Sequence, residues 1–295
     1  MLKHGRLQAA PTGASEIRPF PAFAQAKRAL ARAALLLAGV LLPASSALAT
    51  SPEVAGWCDQ MGGRLRSVSA QSCRGQDFVV MPFRTEHGNF LARRDIPPAK
   101  GAQAAKRVLV IGGIHGDELT SVSTVFRWLE WIRAPEAQRY FWRVIPAANP
   151  DGLLARRSTR VNANGVDLNR NFESHDWKQD AGAYWARRTG SDPRRYPGTE
   201  AASEVETRWL QQELEAFQPD LIVSVHAPYN LLDYDGPVPQ PMRFGRLSLN
   251  RLGVYPGSLG NYAGLNLRIL VITIKHPHAT VMQTMRDKGA IWEDM

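Results

Sequence analysis

The stretch LVIGGIHGDEL, Leu109 to Leu119, runs an apolar segment into a glycine turn that holds His115 and Glu118 three residues apart. Starting two residues earlier, RVLVIGG reads as a continuous apolar strand of the buried kind. Leu119, Val122, Phe126, Leu129 and Ile132 then recur at helical spacing. His115 thus ends a strand and Glu118 begins a helix, and a tight turn through Gly116 can aim both side chains at one point. A His-x-x-Glu in this setting is either half of a metal site or an ordinary strand-to-helix turn whose polar residues face water.

The same unit recurs downstream. FWRVIPAANPDG is a second strand running into an Asn-Pro-Asp-Gly turn, DLIVSVHAP is a buried strand with His226 at its C-terminal end, and ILVITIK is a last apolar strand. Ser203 and Glu206 are spaced as a capping box ahead of the helix SEVETRWLQQELEAF. Strands alternating with helices predict an α/β domain over 104–295 with a mixed, largely parallel sheet flanked by helices. Ligands of such sheets bind at the C-terminal ends of the strands, which is where His115, His226 and Lys275 fall. Residues 155–197 read as a long polar, arginine-rich loop region, a length that usually serves function. Residues 50–103 form a small N-terminal module ending in the linker-like RRDIPPAKGAQAAKR.

With 295 residues, 44% of them hydrophobic, the chain can bury a full core. Its net charge of +9 first suggests an anionic partner, but the charge is unevenly placed. Lys27, Arg28 and Arg32 precede an apolar run from Ala33 to Leu42 and an A-x-A site at Ala47-Leu48-Ala49, the three regions of a secretory signal peptide over 1–49. The part before Lys27 is long for such a leader, so a start further in is an alternative. No twin-arginine pair precedes the run. The run is shorter than the roughly 20 residues that cross a bilayer, so no membrane anchor is expected. Without 1–49 the balance is 30 basic against 26 acidic residues, a net +4, and no nucleic-acid partner is expected. Cys58 and Cys73 then belong to a periplasmic protein, where a disulfide between them stabilises by ~3 kcal/mol. Two free thiols in a cytosolic protein are the alternative.

Two histidines and one carboxylate with an open fourth position make the ligand set of a catalytic zinc. Between them in sequence lies RVNANGVDLNRNF, Arg160 to Phe172, with two arginines and several amides around a glycine turn. A planar guanidinium matches a carboxylate through two hydrogen bonds, so this loop suits an anionic substrate end. A solvated asparagine-rich loop is the other reading.

Taken in order, GGIHGDE, NPDG, RVNANGVDLNRNF, PGTEAASEVET, IVSVHAP and YPGSLGNYAG resemble the motifs of the carboxypeptidase A-like zinc metallopeptidases, and within them the murein peptide amidases that trim bacterial cell-wall peptides. The resemblance runs from Val108 to the C-terminus. It implies one Zn2+ held by His115, Glu118 and His226. It also implies a carboxylate grip by Asn169 and Arg170, and an arginine at the oxyanion, matched by Arg160 or Arg157. The family's mobile tyrosine is approximated by Tyr262 or Tyr255, and a packed aromatic is the plain alternative at either position.

One position departs from the pattern. The family ends its last apolar strand with a glutamate that serves as general base and then general acid, and here VITIKHP puts Lys275 there. Strand alternation sets Ile269, Val271, Thr273 and Lys275 on one face and turns His276 away. Losing a positioned base costs ~10²–10⁴-fold in rate. An ammonium ~5 Å from a site of net charge near +1 adds ~3 kcal/mol of repulsion at an effective dielectric of ~20. A buried lysine acting as a neutral base is the other option. The segment after Lys275 ends at IWEDM, too short in this reading for much of a terminal helix, and a truncated copy is one explanation.

The resemblance therefore implies a periplasmic zinc peptidase acting on peptidoglycan peptides at the γ-D-glutamyl to diaminopimelate bond. A non-catalytic protein that keeps the muropeptide cleft is the competing expectation. The acidic LLDYDGP segment, with Asp233 and Asp235, either meets the second amino group of diaminopimelate or is a solvated turn. Neither a G-x-S-x-G elbow nor a G-x-G-x-x-G after the first strand is present, which sets aside a serine hydrolase and a dehydrogenase.

Overall fold

Helix α1 (Pro52–Arg64) starts where a helix can tolerate proline, and the Ser51 hydroxyl accepts a hydrogen bond from the Val54 N–H at 3.3 Å. Ser69 caps the short α2 (Ala70–Arg74) in the same way, through the Ser72 N–H at 3.0 Å. A disulfide between Cys58 and Cys73 ties the two helices together. The structure is a computed structural model that describes residues 51–100, 105–237, 239 and 242–294. The expected signal peptide lies outside the described residues.

Strands β1 (Val79–Arg84) and β2 (Phe90–Ile96) follow as an antiparallel pair. The repeated unit then runs through β3 (Arg107–Gly112), α3 (Leu119–Trp131), β4 (Phe141–Ile145), α4 (Pro150–Leu154), α5 (Trp177–Thr189), α6 (Val205–Phe217) and β5 (Leu221–His226). The chain closes with β6 (Leu231–Asp235), a small hairpin of β7 (Arg243–Phe244) and β8 (Leu247–Ser248), β9 (Leu270–Lys275) and α7 (Met285–Glu293). The main sheet has the order β1-β2-β4-β3-β5-β9-β6. Its centre, β4-β3-β5-β9, is parallel, while β2 and β6 join it antiparallel. The expected mixed, largely parallel sheet is therefore present.

Residues 51–100 and the strands after them share this sheet, because β2 pairs with β4. Buried Arg143 of β4 reinforces the join through Asp95 of β2 and Glu213 of α6, each at 2.8 Å. Among the described residues no helix is long and apolar enough to cross a membrane.

Alternation along the central strands builds a core on each face. Val108, Val110, Val223, Val225, Ile272 and Ile274 pack with Val122, Val125, Trp128 and Leu129 of α3. Leu109, Ile111, Ile222 and Val271 pack on the opposite face with Trp209, Leu210 and Leu214 of α6. Three local expectations are corrected. The polar stretch 155–197 contains α5, a helix of 13 residues. The segment after Lys275 contains α7, nine residues long. Ser203 and Glu206 form no capping box: Glu204 is the cap residue of α6 without a side-chain cap bond, and the Ser203 hydroxyl donates to Glu204 Oε1 at 2.6 Å.

That displaced polar group belongs to a network pinning loop 160–172 to α6. Asn162 Nδ2 donates to Glu204 Oε2 at 2.7 Å and to Glu206 Oε2 at 3.3 Å, and Asn164 Nδ2 donates to Glu204 Oε2 at 2.8 Å. Burial pushes the Glu206 carboxyl up to about 7. A folded-state acid with a raised pKa keeps a proton that the unfolded chain has already released. Stability is therefore full below about pH 4.5 and lost as pH rises toward 7.

Two predictions follow from this packing. Between pH 4.5 and 7 the native chain loses ~3 kcal/mol through Glu206 alone. Glu206→Gln removes that part of the slope in urea unfolding series, and an unchanged slope refutes the assignment. Replacing Cys58 and Cys73 by serine, which opens the 15-residue link, lowers unfolding stability by ~3 kcal/mol and raises the m-value, because the unfolded chain expands.

Candidate metal centre

Parallel pairing sets three strand ends side by side. Gly112 of β3 lies opposite Val225 of β5, and His226 of β5 lies opposite Lys275 of β9. The chain leaves β3 through a turn in which Glu118 N–H donates to His115 O at 3.3 Å. Gly116 is required there, since a methyl group on it would overlap the backbone of Gly152. Glu118 stands at the cap position of α3 but makes no cap bond, so its carboxylate is available elsewhere.

It is used between two imidazoles. Glu118 Oε1 lies 2.9 Å from His115 Nδ1 and Oε2 lies 3.0 Å from His226 Nδ1, while the two Nδ1 atoms are 3.2 Å apart. The Ala227 N–H donates to Glu118 Oε2 at 3.0 Å. Each ring has its other nitrogen occupied: His115 Nε2 meets Asp167 Oδ1 at 3.1 Å, and His226 Nε2 meets the Ser224 hydroxyl at 3.0 Å. A proton on each Nε2 leaves both Nδ1 atoms as acceptors facing an acceptor carboxylate.

Desolvation disfavours the Glu118 anion, but the charge and N–H groups that the two imidazoles present when protonated outweigh it and hold the carboxyl well below its usual range. Burial, then the Lys275 ammonium, pulls His226 down to about 3, so it is neutral with a free lone pair. One ligand atom from each of the three residues lies within 4.8 Å of the other two. Two imidazole nitrogens and a carboxylate, each buried and braced from behind, suit a zinc ion.

Asp167 serves two neighbours. Besides His115 it accepts from Arg160, with Nε and Nη2 at 3.0 and 2.9 Å from Oδ2. Arg160 Nη1 then lies 3.2 Å from His115 Nδ1 and 3.6 Å from Glu118 Oε1. Burial works against its charge, but Asp167 and Glu118 outweigh that and raise its pKa. Arg157 is exposed and does not line the cleft, so Arg160 is the arginine that reaches the metal centre.

A cleft of about 670 Å³ opens over these groups. Asn169 and Arg170 line it; Asn169 Oδ1 accepts from the Leu259 N–H at 2.8 Å, and the Arg170 guanidinium stacks on Tyr255 with 4.4 Å to the ring centroid. Gly257 lets the YPGSLG segment lie directly on the Arg170 carbonyl, where a side chain would overlap it. Of the two tyrosines, Tyr255 lines the cleft. Tyr262 is buried in a π-helical turn, stacked on Phe172 at 5.8 Å, and does not line it.

Lys275 lines the cleft as the strand parity requires, with Thr273 beside it. His276 is buried away from it, with Nδ1 at 2.8 Å from Gln283 Oε1. Sequence reasoning missed Asp167, Ser224, Tyr229 and the rim residues Asp117, Asp192, Arg194 and Arg195, of which Arg194 pairs with Asp117 at 2.7 Å. Asp167 stands inside a quoted motif and Ser224 shares the strand face of His226, so both had a signal. Asp117 stands in the GGIHGDE motif, and Asp192, Arg194 and Arg195 lie in the arginine-rich stretch 155–197, whose composition marked the region but no single residue of it.

Comparison with known proteins agrees with this architecture. A family model described as zinc carboxypeptidase matches residues 59–236. Murein peptide amidase A of Escherichia coli (strain K12) is 39% identical over 131 residues, covering 43% of this chain and 52% of that protein. Its counterpart in Vibrio campbellii is 32% identical over 133 residues, covering 44% and 52%. The chain therefore spans about half the length of these curated relatives. The carboxypeptidase A structure from Helicoverpa armigera superposes with a TM-score of 0.56 at 15% identity, covering 76% of this chain and 69% of that one, which shows a shared fold. With the family match spanning more than half its length and the donor trio at its parallel strand ends, this chain belongs to the zinc carboxypeptidase family.

Proposed function

We propose that this protein is a periplasmic zinc peptidase of the murein peptide amidase type, acting on peptidoglycan peptides at the γ-D-glutamyl to diaminopimelate bond. The observation that carries the reading is the convergence of His115 Nδ1, His226 Nδ1 and the Glu118 carboxylate beneath a cleft lined by Arg160, Asn169 and Arg170. The names of the curated relatives support the substrate class. The Cys58–Cys73 disulfide suits an oxidising compartment.

In this reading His115, Glu118 and His226 would hold one zinc ion, which when bound would supply Lewis-acid polarisation of the scissile carbonyl. Asp167 fixes the ring of His115 and the fork of Arg160 at once. Arg160 donates to the oxygen on which negative charge develops. Asn169 and Arg170 orient the substrate's terminal carboxylate, and the stacking of Arg170 on Tyr255 holds that guanidinium in one place. No carboxylate stands at the end of β9 to move the proton from water to the leaving amine.

That last feature favours a second reading, a non-catalytic protein that binds muropeptides in the same cleft. Lys275 is 9% exposed, lines the cleft and presents an ammonium where a proton acceptor is needed. Even so, His115, Glu118 and His226 stay grouped beside Lys275.

The purified chain is expected to hold one zinc ion per molecule by metal analysis. Its hydrolysis of L-Ala-γ-D-Glu-diaminopimelate is expected to be ~10²–10⁴-fold slower than that of Lys275→Glu. Equal rates for the two proteins would show that Lys275 disables nothing, and absence of zinc from both would overturn the peptidase reading altogether. Asp167→Asn, which weakens the brace on His115, is expected to reduce zinc affinity ~10–100-fold in chelator competition.

A further inference from the structure

Helix α4 lies between the His115–Glu118 turn and the loop that carries Arg160. On one side Gly116 rests directly on the Gly152 backbone. On the other, the Gly152 carbonyl accepts the Thr159 N–H at 2.9 Å. Asn149, the fully buried cap residue of α4, ties both sides to the helix. Its Nδ2 donates to the Ile114 carbonyl at 3.4 Å and to the Arg160 carbonyl at 3.2 Å, while its Oδ1 accepts the Gly152 N–H at 2.8 Å. In a close-packed interior a displacement of α4 therefore moves the His115–Glu118 turn and the Arg160 backbone together.

A helix of five residues does not hold itself in place. What fixes α4 comes from residues 51–100. Asp151, in the first turn of α4, is 2% exposed, and its carboxylate takes three hydrogen bonds from the turn between β1 and β2. Oδ1 accepts from the Thr85 hydroxyl and from Asn89 Nδ2 at 2.8 Å, and Oδ2 accepts from the His87 N–H at 3.1 Å. The turn is closed on itself, with the Thr85 N–H donating to Asn89 O at 3.1 Å and the Gly88 N–H to Thr85 O at 2.9 Å. At the far end of α4, Arg64 of α1 donates to the Leu154 and Ala155 carbonyls, and the Cys58–Cys73 disulfide holds α1 in turn.

The chemistry at Asp151 separates this contact from ordinary packing. All three donors are neutral, so the desolvation of a buried carboxylate is offset by hydrogen bonds alone. An amide in its place would set an NH2 group against the His87 N–H, whereas a carboxylate presents acceptors to all three donors at once. The arrangement is suited to holding α4 in one position, and both halves of the site hang from α4.

We propose that Asp151 is a positioning residue for the metal centre. Held by Thr85, His87 and Asn89, it fixes α4 so that the His115–Glu118 turn and Arg160 keep their places. Residues 51–100 thereby serve the site as a clamp. The inference rests on the zinc reading for its metal readout and on the contacts of α4 for the rest.

The test uses the full purified chain with Thr85→Val, which keeps the shape and removes the hydroxyl, Thr85→Ser, which restores it, and Asp151→Asn. Leu214→Ala, a core truncation on the face of the sheet that Leu153 of α4 does not share, controls for lost stability alone. Zinc affinity is read by chelator competition, and exchange of the Thr159 amide is read by hydrogen exchange on the metal-free chain. Thr85→Val and Asp151→Asn are each expected to weaken zinc binding ~10-fold and to speed Thr159 exchange ~10-fold. Thr85→Ser is expected to return both to the values of the unmodified chain, and Leu214→Ala to move neither. If Asp151→Asn fails to fold, the two Thr85 variants decide the matter. Unchanged affinity and exchange in Thr85→Val overturn the clamp, and so does an equal loss in Leu214→Ala. Zinc bound by none of the proteins refutes the metal reading instead, and the exchange rates then decide the clamp by themselves.

Discussion

The Glu118 carboxylate, held between the Nδ1 atoms of His115 and His226, is the contact on which the rest of the site is arranged. It brings three acceptors to one point in a buried setting, an arrangement tolerated only if positive charge is at hand. Arg160 stands next to it, and a zinc ion suits the same place. The strand register makes this geometry repeatable, because β3, β5 and β9 are parallel neighbours whose ends share an edge. Each end then exposes one reactive side chain to the same cleft.

Behind the centre, the polar loop 160–172 acts as a bracket. Asp167 couples the orientation of His115 to that of Arg160, so a metal-ligating ring and an oxyanion donor depend on one carboxylate. Asn162 and Asn164 anchor the loop to Glu204 of α6, and Gly257 presses the YPGSLG segment onto its other side. The cationic groups Arg160 and Arg170 are thereby rigid before any ligand arrives, which lowers the entropy lost on binding. On the opposite wall, Lys275, Asp233 and Asp235 line the same cleft.

Much of this was legible along the chain because burial on both faces of a parallel strand leaves a plain mark, the continuous apolar run. RVLVIGG, DLIVSVHAP and ILVITIK gave the central strands, and the polar residue closing each run marked the ligand edge. Helix α5 was hidden because its face is mostly polar and exposed, with Ala181 its buried residue, so no apolar period announced it. The expected capping box at Ser203 failed for a related reason: a hydroxyl and a carboxylate three residues apart are also suited to tertiary partners, and Asn171 competed successfully for Ser203 and Asn162 for Glu206.

The amino-acid sequence by itself determined the class of fold, the strand ends where ligands gather and the parity that points Lys275 into the cleft and His276 away. Those properties follow from local periodicity, which a chain carries wherever it folds. Only the tertiary structure decided that Arg160 and not Arg157 reaches His115, that Tyr255 and not Tyr262 lines the cleft, and that Asp167 braces two partners at once. Those outcomes turn on ångström-scale proximity between segments far apart in sequence, and no spacing rule along a single strand or helix encodes it.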